Sequence, residues 1–400
     1  MRIVQKYGGT SVGTIEKIKN IAESLVEQKK QGRELVVVVS AMGKTTDALL
    51  AKAGSITSKP NKRELDRLLS VGEQETIALL TMALNEFGVG AISLTGYQAG
   101  IETTGIHTKS KIKSIDSKKV EKYLAEGKIV IVAGFQGINE AGDITTLGRG
   151  GSDTSAVALA ASLNCECEIY TDVDGIYGVD PRAYSKAKKI DEISYEEMME
   201  MSSLGAGVME VRAVELGKKY GVPIYVGRTL SDKRGTMIVE RNLDMEEKVI
   251  TGLGITDNII LTTLKSLENT PENISDIFEA LGEAGVNIDM ISQTLVEGGG
   301  LNLSFTCPDN ELNLLEEALD RIRRELGEVQ VEEHNHFTKI SLVGIGMMSH
   351  PGVAGKVFKV FAREGIRFYQ VTTSEISISY AIDPKDKERA VHALAEAFNL

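Results

Sequence analysis

The chain has 400 residues, of which 42 % are hydrophobic; that is enough apolar material to bury a core, and at ~100–200 residues per domain it fills about two or three domains. A formal net charge of -12 disfavours nonspecific binding to nucleic acid or to an anionic membrane, so any anion site must be built locally from selected lysines, arginines and backbone amides. Cys165, Cys167 and Cys307 form no disulfide framework, and five scattered histidines form no zinc set.

Met1-Arg2-Ile3-Val4-Gln5-Lys6 meets charge at once, unlike a signal peptide, and no 18-residue uncharged apolar run follows. The expectation is a cytoplasmic protein with neither nucleic acid nor membrane as partner.

In chain order, a short strand at Ile3-Val4 leads through Gly8-Gly9 to a helix near 14–30. Leu35-Val36-Val37-Val38-Val39 is apolar on both faces and so predicts a strand covered on both sides. Helical periodicity follows near 64–86 and 117–126, then a second buried strand at Ile129-Val130-Ile131-Val132-Ala133. Next come a helix near 153–163, a strand at Ile169-Tyr170, helices near 195–202 and 209–220, and strands at Ile224-Tyr225-Val226 and Met237-Ile238-Val239. This alternation predicts an α/β domain with a mostly parallel central sheet and ligands outside the carboxyl ends of the strands.

Beyond the charged run 240–248 the rhythm changes. Pro271, Phe278, Leu281 and Gly285 recur eighty residues later as Pro351, Phe358, Phe361 and Gly365, marking two copies of a βαββαβ unit. The domains expected are 1–245, and 246–400 with one unit at about 257–334 and the other at about 338–400. The second copy lacks room for its last strand, and the spare apolar stretch 249–255 is expected to pair with it.

Several loops carry chemistry. Lys6-Tyr7-Gly8-Gly9-Thr10-Ser11 follows the first strand, where backbone amides can surround phosphate oxygens and Lys6 can supply a mobile positive charge; a plain strand-end turn is the other reading. Gly43-Lys44-Thr45 looks like the end of a P-loop, but the glycine that motif requires falls on Val38, inside a strand, so the motif is rejected. What remains at 40–47 is a hydroxyl-rich loop that suits a small polar substrate or caps a helix. Glu73 either binds an amino group or complements a helix dipole.

Thr145-Thr146-Leu147-Gly148-Arg149-Gly150-Gly151-Ser152-Asp153 says most. Its glycines uncover backbone N–H groups at a helix start, a place suited to dense negative charge. Arg149 can clamp a carboxylate bidentately, and with Glu73 it would recognise both charged ends of a zwitterion. Asp153 orients the positive groups, binds magnesium indirectly, or caps the helix. The stretch 171–182 has acids and a glycine but no EF-hand pattern; its roles are contacts to ribose and base, with Arg182 on phosphate, or a plain turn.

Together these loops resemble the aspartate kinases, monofunctional members of the amino-acid kinase family with a C-terminal pair of ACT domains. The resemblance rests on KYGGTSVG at 6–13, VVVVSAMGKTTDAL at 36–49, SVGE at 70–73, GFQG at 134–137, TTLGRGGSDTSAVALAASL at 145–163 and EIYTDVDGIYGVDPR at 168–182, and it spans the chain. Acetylglutamate and uridylate kinases share the catalytic fold without this set.

The resemblance implies an amino-acid-kinase-like domain followed by two ACT-type units. It implies ATP-dependent phosphorylation of the L-aspartate β-carboxylate, the first step toward lysine, threonine and methionine. The family's catalytic positions fall on Lys6 and Asp153, and its aspartate-binding positions on Ser40, Thr46, Glu73, Arg149 and Ser152. Its nucleotide contacts fall on Lys6, Gly8, Gly9, Thr171, Asp172, Tyr177 and Arg182. ATP and Mg²⁺ are implied, with no dedicated metal ligand in the protein. ACT pairs imply feedback by lysine, threonine or both, with Asp276 and Gln293 at effector positions, and a homo-oligomer of at least two chains. One departure stands out: where the family often places a lysine or arginine that touches the nucleotide, this chain has Gly207.

Overall fold

A computed structural model describes residues 1–240, 248–296, 299–327 and 329–400, without the side chains of residues 333–335. The expected domain boundary at 245 and most of the charged run before it lie outside the described residues. The chain divides into two compact units. One holds Met1–Ile176, Lys189–Ser202 and the chain from Gly207 to residue 240; the other holds Tyr177–Lys188, Ser203–Ala206 and the chain from residue 248 to Leu400. Two short excursions from the first 245 residues therefore belong to the second unit, which the sequence reading did not anticipate.

The first unit is built on an eight-stranded sheet, in the order Glu192–Ser194, Thr236–Val239, Ile224–Arg228, Glu166–Thr171, Arg2–Tyr7, Glu34–Val39, Ile129–Ala133 and Ala91–Leu94. Every pairing is parallel except that of Ile224–Arg228 with Thr236–Val239. Leu35 through Val39 are wholly buried, as a strand apolar on both faces requires.

Because side chains alternate along a strand, Ile3 and Tyr7 face one side with Leu35, Val37 and Val39, in a core completed by the helices Ile15–Lys30 and Val71–Glu86. Val4 and Lys6 face the other side, where the helix Gly151–Ser162 packs on the central strands. The chain leaves Arg2–Tyr7 toward Glu34–Val39 on one flank and returns at Glu166–Thr171 on the other, which is a topological switch point.

The single helix expected near 64–86 is two, Lys62–Leu69 and Val71–Glu86, joined at Ser70. The loop at 40–47 passes directly into a further helix, Thr45–Ile56. A four-stranded sheet, in the order Lys111–Ile115, Ile101–Thr104, Gln136–Ile138, Ile144–Thr146, was not foreseen; its strands are short and their apolar alternation is broken by charge and glycine.

In the second unit the two βαββαβ copies share one antiparallel six-stranded sheet, in the order Ile291–Leu295, Gly300–Pro308, Gly252–Glu268, Gln330–Val343, Ser377–Ile382, Phe368–Thr373. The stretch expected as a spare strand is the start of one 17-residue strand, Gly252–Glu268, whose first residues pair with the second copy, Gly252 opposite Val343 through Ile255 opposite Ile340. The register slips after Thr256, and Asn258 there holds φ 56 in the left-handed region that asparagine tolerates. Helices Pro271–Ala284 and Leu312–Leu326 pack on one half of the sheet, Val353–Glu364 and Lys387–Phe398 on the other. The excursion 177–188 is fastened here: Leu253 N–H donates to Gly178 O at 2.7 Å, and Tyr184 packs edge-on against His392. Among the described residues no helix is long and apolar enough to cross a membrane.

Candidate active site

At the carboxyl ends of the central strands, four loops meet around a cavity of about 280 Å³ lined by Lys6, Gly9, Ser40, Ala41, Gly43, Thr46, Glu73, Phe135 and Gly148 through Asp153. Its size suits a small amino acid and a phosphoryl group, below the roughly 300–1,000 Å³ of pockets that bury drug-sized ligands.

Lys6, 9 % exposed, projects from the central strand toward the helix Gly151–Ser162, where its Nζ lies 2.5 Å from Asp153 Oδ1. That helix begins two residues earlier than expected, with left-handed Gly150 (φ 62) at its N-cap. Ser152 and Asp153 thus sit inside its first turn, and the capping reading of Asp153 is excluded. First-turn N–H groups of a helix have no intrahelical acceptor, so this end of the cavity favours negative charge.

Gly9 allows two loops to touch: Gly43 N–H donates to Gly9 O at 3.0 Å, and a Cβ on Gly9 would stand 2.8 Å from Ala41 O. Glu73, 3 % exposed, enters from the first turn of Val71–Glu86. Ala41 N–H donates to its Oε1 at 3.1 Å, while Oε2 is buried without a partner. Burial raises its pKa to about 7, against the lowering effect of backbone N–H groups. A buried acceptor with an unused lone pair, on a residue that lines a cavity, is suited to a cationic donor. Arg149 sits exposed on the opposite loop.

The other expected residues fall elsewhere. Gly8 adjoins the cavity through Lys6 and donates its N–H to Tyr170 O at 3.2 Å. Thr171 ends its strand, and its hydroxyl donates to Asp172 at 3.1 Å; neither residue lines the cavity. Tyr177 and Arg182 lie in the second unit, where the 91 % exposed Arg182 side chain pairs with Asp180 at 2.7 Å. Asp276 is exposed on the helix Pro271–Ala284, and Gln293 is exposed on the edge strand Ile291–Leu295.

Sequence reading missed four residues here. Phe135 lines the cavity with φ 69 and receives a hydrogen bond from Leu147 N–H at 2.9 Å. Glu210 occupies the space a side chain on Gly150 would need, its pKa raised by burial first and by Asp153 second among the raising causes. Arg212 donates to Leu147 O at 2.7 Å and Ser110 O at 3.1 Å, holding the approach to the glycine loop. Asp66 sits behind that loop. Phe135 stands in the GFQG motif at 134–137, which could have flagged it; Asp66, Glu210 and Arg212 carry no such signal.

Residues 1–228 match the amino acid kinase family, and residues 262–327 and 340–398 each match the ACT domain. The chain is 48 % identical over 400 residues to an aspartokinase of Bacillus sp. strain MGA3, covering all of this chain and 97 % of that one. The chain belongs to the aspartokinases of the amino acid kinase family. Aspartokinase 2 of Bacillus subtilis is 45 % identical over 402 residues, covering all of this chain and 98 % of the relative. Among solved structures, E. coli aspartokinase III in complex with aspartate and ADP shares the fold, with a TM-score of 0.84 at 23 % identity and full coverage of both chains. Aspartate kinase from Synechocystis aligns with a TM-score of 0.56 at 41 % identity, covering all of this chain and 69 % of that one. The cavity falls where the glycine loops converge.

Proposed function

We propose that this aspartokinase transfers the γ-phosphoryl group of ATP to the β-carboxylate of L-aspartate at the cavity between Lys6 and Asp153, giving ADP and 4-phospho-L-aspartate. The observation that carries the site assignment is the gathering of a buried Lys6–Asp153 pair with Glu73 and Arg149 around one small cavity. Glu73 receives the α-ammonium and Arg149 a carboxylate of the substrate, with Ser40, Thr46 and Ser152 as hydroxyl partners.

The acceptor is already ionised at neutral pH, since a free aspartate side chain titrates near ~3.9, so no general base is needed. The protein's task is to hold two anions together. Lys6 stabilises the transferring group, Asp153 holds Lys6 in place, and the amides after Gly8, from Gly9 on, and at the start of Gly151–Ser162 face the phosphates. Thr171 and Asp172, at the end of the next strand, extend the nucleotide site.

Mg²⁺ supplies charge neutralisation on the nucleotide's phosphates. Asp153, the carboxylate beside Lys6, is the residue suited to meet it.

The ACT pair serves as an amino-acid sensor, with lysine, threonine or both as effectors near Asp276 and Gln293. The strand Ile291–Leu295 is an edge of its sheet and exposes Ile291 and Leu295, which supports pairing with a second copy of the chain. The enzyme works in the cytoplasm, where aspartate and ATP are both present.

The test is ADP release with aspartate, N-acetylglutamate and UMP as competing acceptors, joined to hydroxylamine trapping of the acyl phosphate. Turnover and hydroxamate with aspartate alone are expected; release with another acceptor and none with aspartate would overturn the reading. Repeating the assay with lysine, threonine and both together identifies the effector.

A further inference from the structure

Asp66 is wholly buried, lies outside the cavity and has no role in the transfer as described. It accepts hydrogen bonds from two distant segments. Thr108 N–H reaches Oδ1 at 3.0 Å and Oδ2 at 3.1 Å, the Thr146 hydroxyl donates to Oδ1 at 2.5 Å, and His107 Nδ1 stands 2.7 Å from Oδ2. A buried carboxylate held so fully is rigid, because removing any donor leaves a desolvated acceptor behind.

The segments it joins are the ones that carry the substrate contacts. Asp66 lies on the helix Lys62–Leu69, which runs through Ser70 into Val71–Glu86 with Glu73 in its first turn. Thr146 ends the strand Ile144–Thr146 and is followed by Leu147, Gly148 and Arg149. Thr108 holds φ 72, unfavourable for a β-branched residue and maintained only where surroundings dictate it. Its carbonyl oxygen lies 3.3 Å from the point a Cβ on Gly148 would occupy, so the strained turn backs directly onto the glycine loop.

We propose that Asp66 is a positioning residue for the amino-acid substrate: bound to Thr108, Thr146 and His107, it fixes the separation of Glu73 from Arg149 and thereby the length of zwitterion the site accepts. The inference rests on Glu73 and Arg149 taking the two charged ends of aspartate. A shift of about 1 Å in such a constellation can cost on the order of 100-fold in rate. The nucleotide is also held from Gly9, Thr171 and Asp172 on other loops, and on the glycine loop only the helix start at Gly151 faces its phosphates, so the aspartate KM should respond more than the ATP KM.

The experiment compares Thr146→Val, which keeps the shape and removes one donor, with Thr146→Ser, which keeps the hydroxyl, and with Asp66→Asn. The aspartate KM is expected to rise about tenfold in Thr146→Val and Asp66→Asn, a loss of about one charged hydrogen bond. The ATP KM should stay within about twofold, and Thr146→Ser should behave as wild type. The preference for aspartate over glutamate, one methylene longer, should narrow in the same two variants. A folded Thr146→Val enzyme with an unchanged aspartate KM, or with both KM values raised equally, overturns the proposal; Thr146→Val decides the matter if Asp66→Asn does not fold. Arg149→Lys separates the two levels. If it leaves the aspartate KM unchanged, the site reading fails; if it raises that KM while Thr146→Val does not, only the positioning role fails.

Discussion

Lys6 Nζ and Asp153 Oδ1 lie 2.5 Å apart, each side chain 11 % exposed, one at the end of the central strand and the other in the first turn of the helix that covers it. The pair faces the cavity, and removing either member leaves a buried charge. Lys6→Ala should lower kcat by about 100-fold or more, the scale of losing one preorganised electrostatic contact to the transferring group. Asp153→Asn keeps the volume and should lower kcat through misplacement of Lys6. Each single replacement should also destabilise the fold by about 3 kcal/mol or more, and Lys6→Met with Asp153→Asn together should recover part of that loss. Turnover with saturating substrates and denaturant unfolding of the three variants check this; near wild-type turnover in Lys6→Ala would remove Lys6 from the mechanism.

Arg149 is exposed on the glycine loop, so its replacement should leave stability nearly unchanged. The aspartate KM should rise by roughly 10–100-fold in Arg149→Ala, matching the ~1.5–3 kcal/mol of a charge-assisted hydrogen bond. If kcat falls by the same factor while KM holds, the arginine acts on the transition state rather than on aspartate binding.

Glu73 gives the site a pH dependence. Burial lifts its pKa from 4.5 to about 7, so below pH 7 the carboxyl is increasingly neutral and loses its attraction for the substrate's ammonium. The value of kcat/KM for aspartate should therefore fall as pH drops through 7, approaching about tenfold per pH unit, and Glu73→Gln should be low and flat across the range. The stability effect has the opposite sense. The folded state holds this proton more tightly than the unfolded chain, so the associated stability is present below pH 4.5 and is lost as pH rises through about 7. At about 1.4 kcal/mol per tenfold, the loss comes to about 3 kcal/mol, and Glu73→Gln should melt above wild type at pH 8. An unchanged melting midpoint there would mean that the carboxylate is already compensated.

What could be read from the sequence follows from how local each feature is. The valine run at 35–39 and the glycine loop at 145–153 declare themselves within a few residues, since burial on both faces and left-handed turns limit which residues can stand there. Asp66 hides in Lys62–Leu69, where its neighbours Arg63, Glu64 and Arg67 make it look like one more solvated charge. Its partners lie 41 to 80 residues away. The break at Ser70 is equally invisible, because apolar periodicity runs through it. The turn is held by Gln136, whose side-chain N–H donates to Ser70 O at 2.9 Å. Phe135 takes a backbone angle that sequence assigns to glycine, and only its surroundings explain it. In the second unit, two copies of a repeat were visible, but a single strand shared by both halves was not. Its irregularity at Asn258 looks like an ordinary boundary.

Gly207 stands where the resemblance leads one to expect a lysine or arginine, and the structure leaves space for a side chain there. A Cβ at this position would meet nothing within 4 Å, and the backbone is not left-handed there, so neither sterics nor strain requires glycine. Replacing glycine with a residue that fits its conformation reduces the freedom of the unfolded chain, which favours the folded state by about 0.4–1 kcal/mol. Gly207→Ala should therefore be neutral or slightly stabilising, with unchanged kinetics. Gly207→Lys should fold equally well and, with its ammonium on the nucleotide's phosphates, lower the ATP KM by a charge contact of about 1 kcal/mol, or roughly fivefold. The aspartate KM should not move, since Glu73 and Arg149 lie on other segments. Steady-state kinetics of the two variants with each substrate varied in turn decide the point: an ATP KM that stays fixed in Gly207→Lys, with the fold intact, would show that this segment has no part in nucleotide binding.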